Sequence, residues 1–172
     1  MSANRHMNAY LIEQMQPDDW PFVRSIYLEG IATGNATFET EAPSREEWNA
    51  SHLVSVRLVA RDEDRLIGWA ALSEVSRRQV YSGVAEVSVY VAHDSRGKGV
   101  GRALLEQLIA ESEQNGIWTL QASVFPENVA TIALHRACGF REVGRRERIS
   151  KLNGSWRDTI LLERRSKSVG SD

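Results

Sequence analysis

Hydrophobic and polar positions alternate along Val84–Val91, with Val87, Val89 and Val91 on one face and Glu86, Ser88 and Tyr90 on the other. That alternation is the mark of a half-buried strand. Directly after it the period changes. Val100, Leu104 and Leu108, flanked by Leu105 and Ile109, recur at helical spacing through Gly99–Gln114, and Asn115-Gly116 closes the run. The same two periods sort the rest of the chain. Ala9–Glu13, Ser55–Arg61, Leu66–Val75, Trp118–Val124, Phe140–Leu152 and Trp156–Leu162 read as strands, and Asn153-Gly154 is a hairpin turn joining the last two. Pro17–Gly30 reads as a helix with Pro17 and two aspartates at its start, and Val129–Cys138 as another, ended by Gly139. Thr33–Thr40 is a polar loop, after which Ser44 opens a short helix with Glu47 as its capping-box partner. The order β-α-α-β-β-β-α-β-α-β-β predicts an α/β fold on a mixed sheet, with the segment around Gly99 near its middle.

Composition narrows the class. The 172 residues are enough for one core without disulfide staples. The expected organisation is an extension over residues 1–7, one domain over 8–164 and a polar tail over 165–172. A formal net charge of −2 gives no overall field that would draw nucleic acid or an anionic membrane, and neither is expected as a partner. No apolar run has membrane-spanning length, the first residues lack a signal-peptide core, and Met7 reads as a native start after a short extension. A single cysteine, Cys138, cannot form an internal disulfide, so the expected location is cytoplasmic. Trp20, Trp48, Trp69, Trp118 and Trp156 fall inside predicted elements and read as packing residues. His6, His52 and His93 have no ligand spacing, so no metal is expected.

Chemistry concentrates at Arg96-Gly97-Lys98-Gly99-Val100-Gly101-Arg102, between the central strand and the following helix. A glycine-dense, basic loop at a helix start turns backbone N–H groups and the positive end of the helix dipole toward an anion. The spacing is not that of a P-loop, since Arg-Ala-Leu follows Gly101. Nor is it a dinucleotide fingerprint, since Arg102 and Leu104 stand where glycine is needed. What remains is Arg-x-x-Gly-x-Gly over Arg96, Gly99 and Gly101. This resembles the pyrophosphate-binding signature of the GNAT superfamily of N-acetyltransferases, which hold acetyl-CoA. The element order is also similar to that superfamily over nearly the whole chain. More narrowly, Ala36–Glu41, Gly68-Trp-Ala70, Ala85–Val91 and Leu134–Phe140 resemble the branch of phosphinothricin and methionine sulfone or sulfoximine acetyltransferases.

The resemblance implies a GNAT fold: a mixed, mostly antiparallel central sheet flanked by about four helices and splayed where acetyl-CoA sits. It implies acetyl-CoA as acetyl donor, held by Arg96, Gly97, Lys98, Gly99, Val100, Gly101 and Arg102. The backbone of Val89, Tyr90 and Val91 would pair with the pantetheine arm, and one N–H there would face the thioester oxygen. Asn128, at the N-cap of its helix, would bond the same arm. Glu86, pointing from the central strand into a cleft, is the candidate base for the acceptor amine, which has a reference pKa of about 8. His135 lies two helical turns past Asn128 on the same face. It stands where the superfamily commonly has a tyrosine that protonates the departing thiolate, work an imidazole can also do.

An amino-acid-like acceptor brings a carboxylate, and Arg77 and Arg78 before the central strand are the expected grip. Phe38 and Glu39 would cover its side chain and orient its amine, with Tyr81 closing the pocket. The expected reaction is direct transfer to the α-amino group of such a small molecule, since no activated serine or cysteine is apparent. A protein N-terminus or a polyamine is the alternative acceptor, and a non-catalytic acyl-CoA sensor or a nucleotide-binding protein the alternative class. The family likeness also implies a homodimer, with the tryptophan-bearing last hairpin as a contact.

Overall fold

The computed structural model describes residues 9–172; the expected extension at residues 1–7, including His6, lies outside the described residues. Among the described residues, seven strands form one sheet: β1 (Leu11–Gln14), β2 (Arg57–Asp62), β3 (Arg65–Glu74), β4 (Val84–Val91), β5 (Thr119–Val124), β6 (Arg141–Leu152) and β7 (Ser155–Arg165). Their order is β1-β2-β3-β4-β5-β7-β6, and only the β4–β5 pair is parallel. Four α-helices flank the sheet: α1 (Trp20–Ala32), α2 (Arg45–Ser51), α3 (Val100–Gln114) and α4 (Val129–Ala137). The mixed, mostly antiparallel sheet expected from the sequence is therefore the architecture observed.

The two faces of the sheet are packed with different chemistry. On the α3 side, Val87, Leu104, Leu105, Leu108, Leu120 and Leu162 form an aliphatic core. On the α1–α2 side, Trp48, Trp69, Val23 and Ile26 form a second core, with Tyr27 and Tyr90 packed against it. The alternation along β4 divides its side chains between these faces: Val87 and Val89 toward α3, Tyr90 toward α1.

The sheet also opens. β4 and β5 pair only over Val84↔Thr119, Ala85↔Leu120 and Glu86↔Gln121. Beyond Glu86, β4 stays paired to β3 through Val91, and β5 stays paired to β7 through Val124. Two parallel strands that each keep their outer partner while parting from one another leave a wedge with free backbone groups on its walls.

Three expectations shift. The helix read over Pro17–Gly30 is a short 3-10 turn, Pro17–Asp19, followed by α1. Asp19 is buried and accepts the Gln16 N–H at 2.8 Å, which fixes the turn, and Pro21 suits the first turn of α1. Gly30 does not end the helix, which runs on to Ala32. A Cβ at Gly30 would lie 2.7 Å from the Tyr90 ring, so this glycine is there for close packing. Finally, the residues read as a polar tail begin inside β7, which continues to Arg165. Ser166 is buried, with its N–H bonded to the Trp118 carbonyl (2.8 Å) and its Oγ to Glu113 (2.8 Å).

Candidate active site

The glycine loop is shaped by two left-handed residues, Gly97 at φ 74° and Gly99 at φ 83°. Residues with a Cβ adopt that region at a cost of about 1–2 kcal/mol, so glycine is favoured at both positions. Gly99 is the N-cap of α3 and offers no side chain to the helix. The first bond into the helix runs from Ala103 N–H to the Gly99 carbonyl at 3.0 Å, leaving the N–H groups of the preceding turn open to a ligand. No atom lies within 4 Å of a Cβ built on Gly97, so the loop has open space in front of it. Arg96 donates from Nε to the Val91 carbonyl (3.1 Å), which ties the loop to the end of β4. A backbone cradle, a helix N-terminus and the cations Arg96, Lys98 and Arg102 together fit a pyrophosphate. Arg102 shares its guanidinium with Glu106 at 2.8 Å.

Next to the wedge lies a cavity of 720 Å³. Phe38 and Glu39 reach it from the α1–α2 loop, Glu86, Val89 and Tyr90 from β4, and Asn128 and His135 from α4. Glu86 sits at the last paired position before the strands part, where Gln121 Nε2 donates to its Oε2 at 3.0 Å. The α4 residues are organised by the helix start. Asn128 Oδ1 accepts the Thr131 N–H (3.3 Å), while its Nδ2 donates to the Asn35 carbonyl (3.2 Å).

His135 is 3% exposed, stands edge-on to Phe140 and bonds through Nδ1 to the Thr131 carbonyl at 2.8 Å. A carbonyl only accepts, so Nδ1 carries the proton and the buried Nε2 holds a lone pair that no other group meets. Burial pushes the imidazole pKa below its usual value, which keeps the ring neutral. This is the protonation state of a hydrogen-bond acceptor; protonating a thiolate would require the ring to be charged first.

The inner wall is aromatic, and the sequence pattern did not reveal it. Trp69 stacks on Tyr90 (4.8 Å between centroids) and meets Trp48 edge-on (5.6 Å), while His52 stacks on Trp48 (4.2 Å). Burial raises the Tyr90 pKa far above that of a free phenol, so the ring presents a neutral hydroxyl beside Tyr27 and Thr37. His52 donates from Nδ1 to the Trp48 carbonyl (2.8 Å), and burial lowers its pKa as well. Ser51 Oγ lies 3.1 Å from that same Nδ1, whose proton is already given to the carbonyl, so His52 does not activate this serine. The i, i+4 spacing of Trp48 and His52 on α2 was the one available signal for this wall. Trp69, Tyr27 and Gln121 carried none, because only the sheet brings them alongside β4.

Arg77, Arg78 and Tyr81 do not line the cavity. They belong to the β3–β4 connection, where Arg78 lies over the Tyr81 ring (5.6 Å) and Tyr81 is 44% exposed. Nearness in sequence to β4 did not carry their side chains inward: both arginines are exposed to solvent, and Arg78 rests on the Tyr81 ring. The charged residues of the lining are instead Glu39, Glu41, Glu47 and Glu86, with no lysine or arginine among its described residues. No group of three potential metal ligands occurs among the described residues. No helix among them is long and apolar enough to cross a membrane.

A splayed parallel pair, a loop suited to an anion after β4 and a carboxylate where the strands part give one site that can hold an anionic ligand beside an acid-base group. Residues 12–140 match the acetyltransferase (GNAT) family, and the chain belongs to it. It is 36% identical over 163 residues to a phosphinothricin N-acetyltransferase of Alcaligenes faecalis, covering 91% of this chain and 82% of that protein. It is 26% identical over 151 residues to an L-methionine sulfoximine/L-methionine sulfone acetyltransferase of Pseudomonas paraeruginosa, covering 84% and 88%. The solved phosphinothricin acetyltransferase of Sinorhizobium meliloti in complex with acetyl-CoA superposes with a TM-score of 0.84 at 29% identity, over 95% of this chain and 92% of that one. The protein is an acetyl-CoA-dependent N-acetyltransferase.

Proposed function

We propose that the chain acetylates the α-amino group of a small amino-acid analogue of the phosphinothricin, methionine sulfoximine or methionine sulfone type. The observation that carries this reading is the position of Glu86. Its carboxylate stands where β4 and β5 part, in one cavity with the acceptor-loop residues Phe38 and Glu39 and the α4 residues Asn128 and His135. Relatives that carry those substrate names, at 26% and 36% identity, supply the acceptor class.

In this reading acetyl-CoA supplies an activated acetyl thioester. The loop Arg96–Arg102 holds its pyrophosphate, and the open edge of Val89–Val91 together with Asn128 holds the pantetheine arm. Glu86, steadied by Gln121, takes the proton from the acceptor ammonium. Backbone N–H groups at the parting of the strands face the thioester oxygen, where negative charge grows. The second proton, shed by the nitrogen as the amide forms, passes to the leaving sulfur through a water that donates to His135 Nε2. Transfer is direct, and holding amine and thioester in one cavity supplies much of the acceleration. The same reading places the enzyme in the cytoplasm as a homodimer, with Trp156, 55% exposed on the last hairpin, as a contact residue.

The charge of the lining supports a second reading. Four carboxylates with no cation among them suit an acceptor bearing several positive charges, such as a polyamine, better than one bearing a carboxylate. Thiol release from acetyl-CoA separates the two. Turnover with methionine sulfone, methionine sulfoximine or phosphinothricin, and none with spermidine or an alanyl peptide, supports the first; the reverse pattern overturns it. Acetyl-CoA binding with no turnover on any of them would return the sensor to consideration.

A further inference from the structure

The α1–α2 loop brings Phe38, Glu39 and Glu41 to the cavity, yet it follows a helix end and a glycine in left-handed conformation, Gly34 at φ 64°. Such a segment needs an anchor to hold a defined shape. The anchor comes from β7, on the far side of the wedge. Arg157 donates from Nη1 to the Gly34 carbonyl (2.9 Å), and from Nη2 to Asn35 Oδ1 (3.1 Å) and Glu127 Oε2 (3.2 Å). Its guanidinium carbon lies over Phe125, 4.0 Å from the ring centroid. Phe125 in turn meets Phe38 edge-on at 4.9 Å. One planar, five-donor group thus touches the acceptor loop, the β5–α4 turn and the aromatic floor between them.

The second tie is the Asn128 amide. Its Oδ1 caps α4 and its Nδ2 holds the Asn35 carbonyl, the residue whose side chain Arg157 also holds. Loop and helix cap are therefore fastened at two adjacent points. A group that bonds Asn128 from the donor side acts on the same amide that restrains the loop.

We propose that Arg157 is a positioning residue that fastens the acceptor loop to the Asn128 cap, so that occupancy of the donor site orders the acceptor site. This rests on the acetyl-transfer reading above, which places Asn128 on the donor side and the loop on the acceptor side. By linkage, the acceptor in turn tightens the donor. Lysine keeps the charge but offers neither the plane that covers Phe125 nor the fork that reaches three acceptors.

The test uses the full chain with Arg157→Lys, and Arg157→Ala as the harder variant. In Arg157→Lys the acceptor KM at saturating acetyl-CoA rises about tenfold and the acetyl-CoA KM at saturating acceptor rises with it, while the acetyl-CoA Kd without acceptor stays within about threefold. Hydrogen exchange at residues 33–43, read with and without coenzyme A as the probe, slows on binding in the parent protein and loses that slowing in the variant. A lowered melting temperature with both KM values and the exchange response unchanged would overturn the proposal and leave Arg157 a structural staple. A tenfold rise in the acetyl-CoA Kd measured without acceptor would also overturn it, since that binding lies outside the coupling. If the parent protein acetylates no acceptor, the functional reading fails, while the exchange response still decides whether Arg157 couples the two regions.

Discussion

The donor and acceptor sides of this site are built in different ways. The donor cradle is one continuous piece of chain: strand β4, the loop Arg96–Arg102 and the first turn of α3. The role proposed for it rests on local geometry, two left-handed glycines and a helix start. The acceptor side is assembled from the α1–α2 loop, α2, β3, β4, β5 and α4, and its aromatic contacts other than Trp48–His52 and His135–Phe140 join residues far apart in sequence. A contiguous motif can be read from spacing and tolerates drift elsewhere in the fold. An assembled pocket depends on the sheet register and on close packing, so its specificity is exposed to substitutions far from the chemistry.

Glu86 stands at the junction of the two sides, and its loss should have the largest effect. Glu86→Gln keeps the shape and the contact with Gln121 while removing the base, so kcat is expected to fall by about 10²–10⁴. Acetyl-CoA affinity, measured by calorimetry, should stay within about twofold, since the Glu86 side chain bonds Gln121 and not the loop Arg96–Arg102. An equal loss of binding would remove Glu86 from the role of base.

Gly99→Val tests the donor side alone. A β-branched residue at φ 83° is strained by about 1–2 kcal/mol, and its side chain stands among the N–H groups that face the anion. The acetyl-CoA KM should rise about tenfold or more, with the acceptor KM nearly unchanged. If both rise together, the two sides are not separable in the way their construction implies.

Gly30→Ala tests the acceptor side through the Tyr90 side chain, whose own backbone belongs to the donor strand. Its Cβ would meet the Tyr90 ring at 2.7 and 2.8 Å. That ring is backed by Trp69 at 4.8 Å and cannot simply retreat. Overpacking of this kind costs about 1–3 kcal/mol, a fall of several degrees in melting temperature for a domain of this size. The acceptor KM should rise several-fold while the acetyl-CoA KM holds, the converse of the Gly99 result.

This contrast also explains what could be read in the sequence. The β4 alternation, the α3 period, the Ser44–Glu47 capping box and the Asn128 cap are local patterns, and each element appears where its residues place it. The spacing of Asn128 and His135 follows from the helix itself. Gly30 was read as a helix end because a glycine in sequence does not tell whether it frees the backbone or makes room for a ring. Arg77 and Arg78 read as the carboxylate grip from their charge and their place before the central strand, and neither reports the direction of a side chain. Arg157, by contrast, lies in an unremarkable strand, and only the path of β7 past the α1–α2 loop gives it three partners. The aromatic wall stayed hidden for the same reason, since Trp69 and Tyr90 become neighbours only through the antiparallel register of β3 and β4.

The smallest expected effect separates the two buried imidazoles from the carboxylates. His135 and His52 both have pKa values lowered by burial, against about 6.5 in the unfolded chain. Between the folded and unfolded values the unfolded chain binds more protons, so acidification favours unfolding. Their contribution to stability is whole above about pH 6.5 and is lost progressively as pH falls through that value toward the folded ones, at no more than about 1.4 kcal/mol per pH unit for each ring. His135→Gln should therefore flatten the loss of melting temperature between about pH 6.5 and 5, and His52→Gln should do the same independently. The two differ in activity. His135 presents an unpartnered Nε2 in the catalytic cavity, so the acid fall of kcat/KM should move with His135→Gln and not with His52→Gln. If the acid limb is unmoved by either change, protonation of another group sets it, and His135 serves only to pack α4 against Phe140.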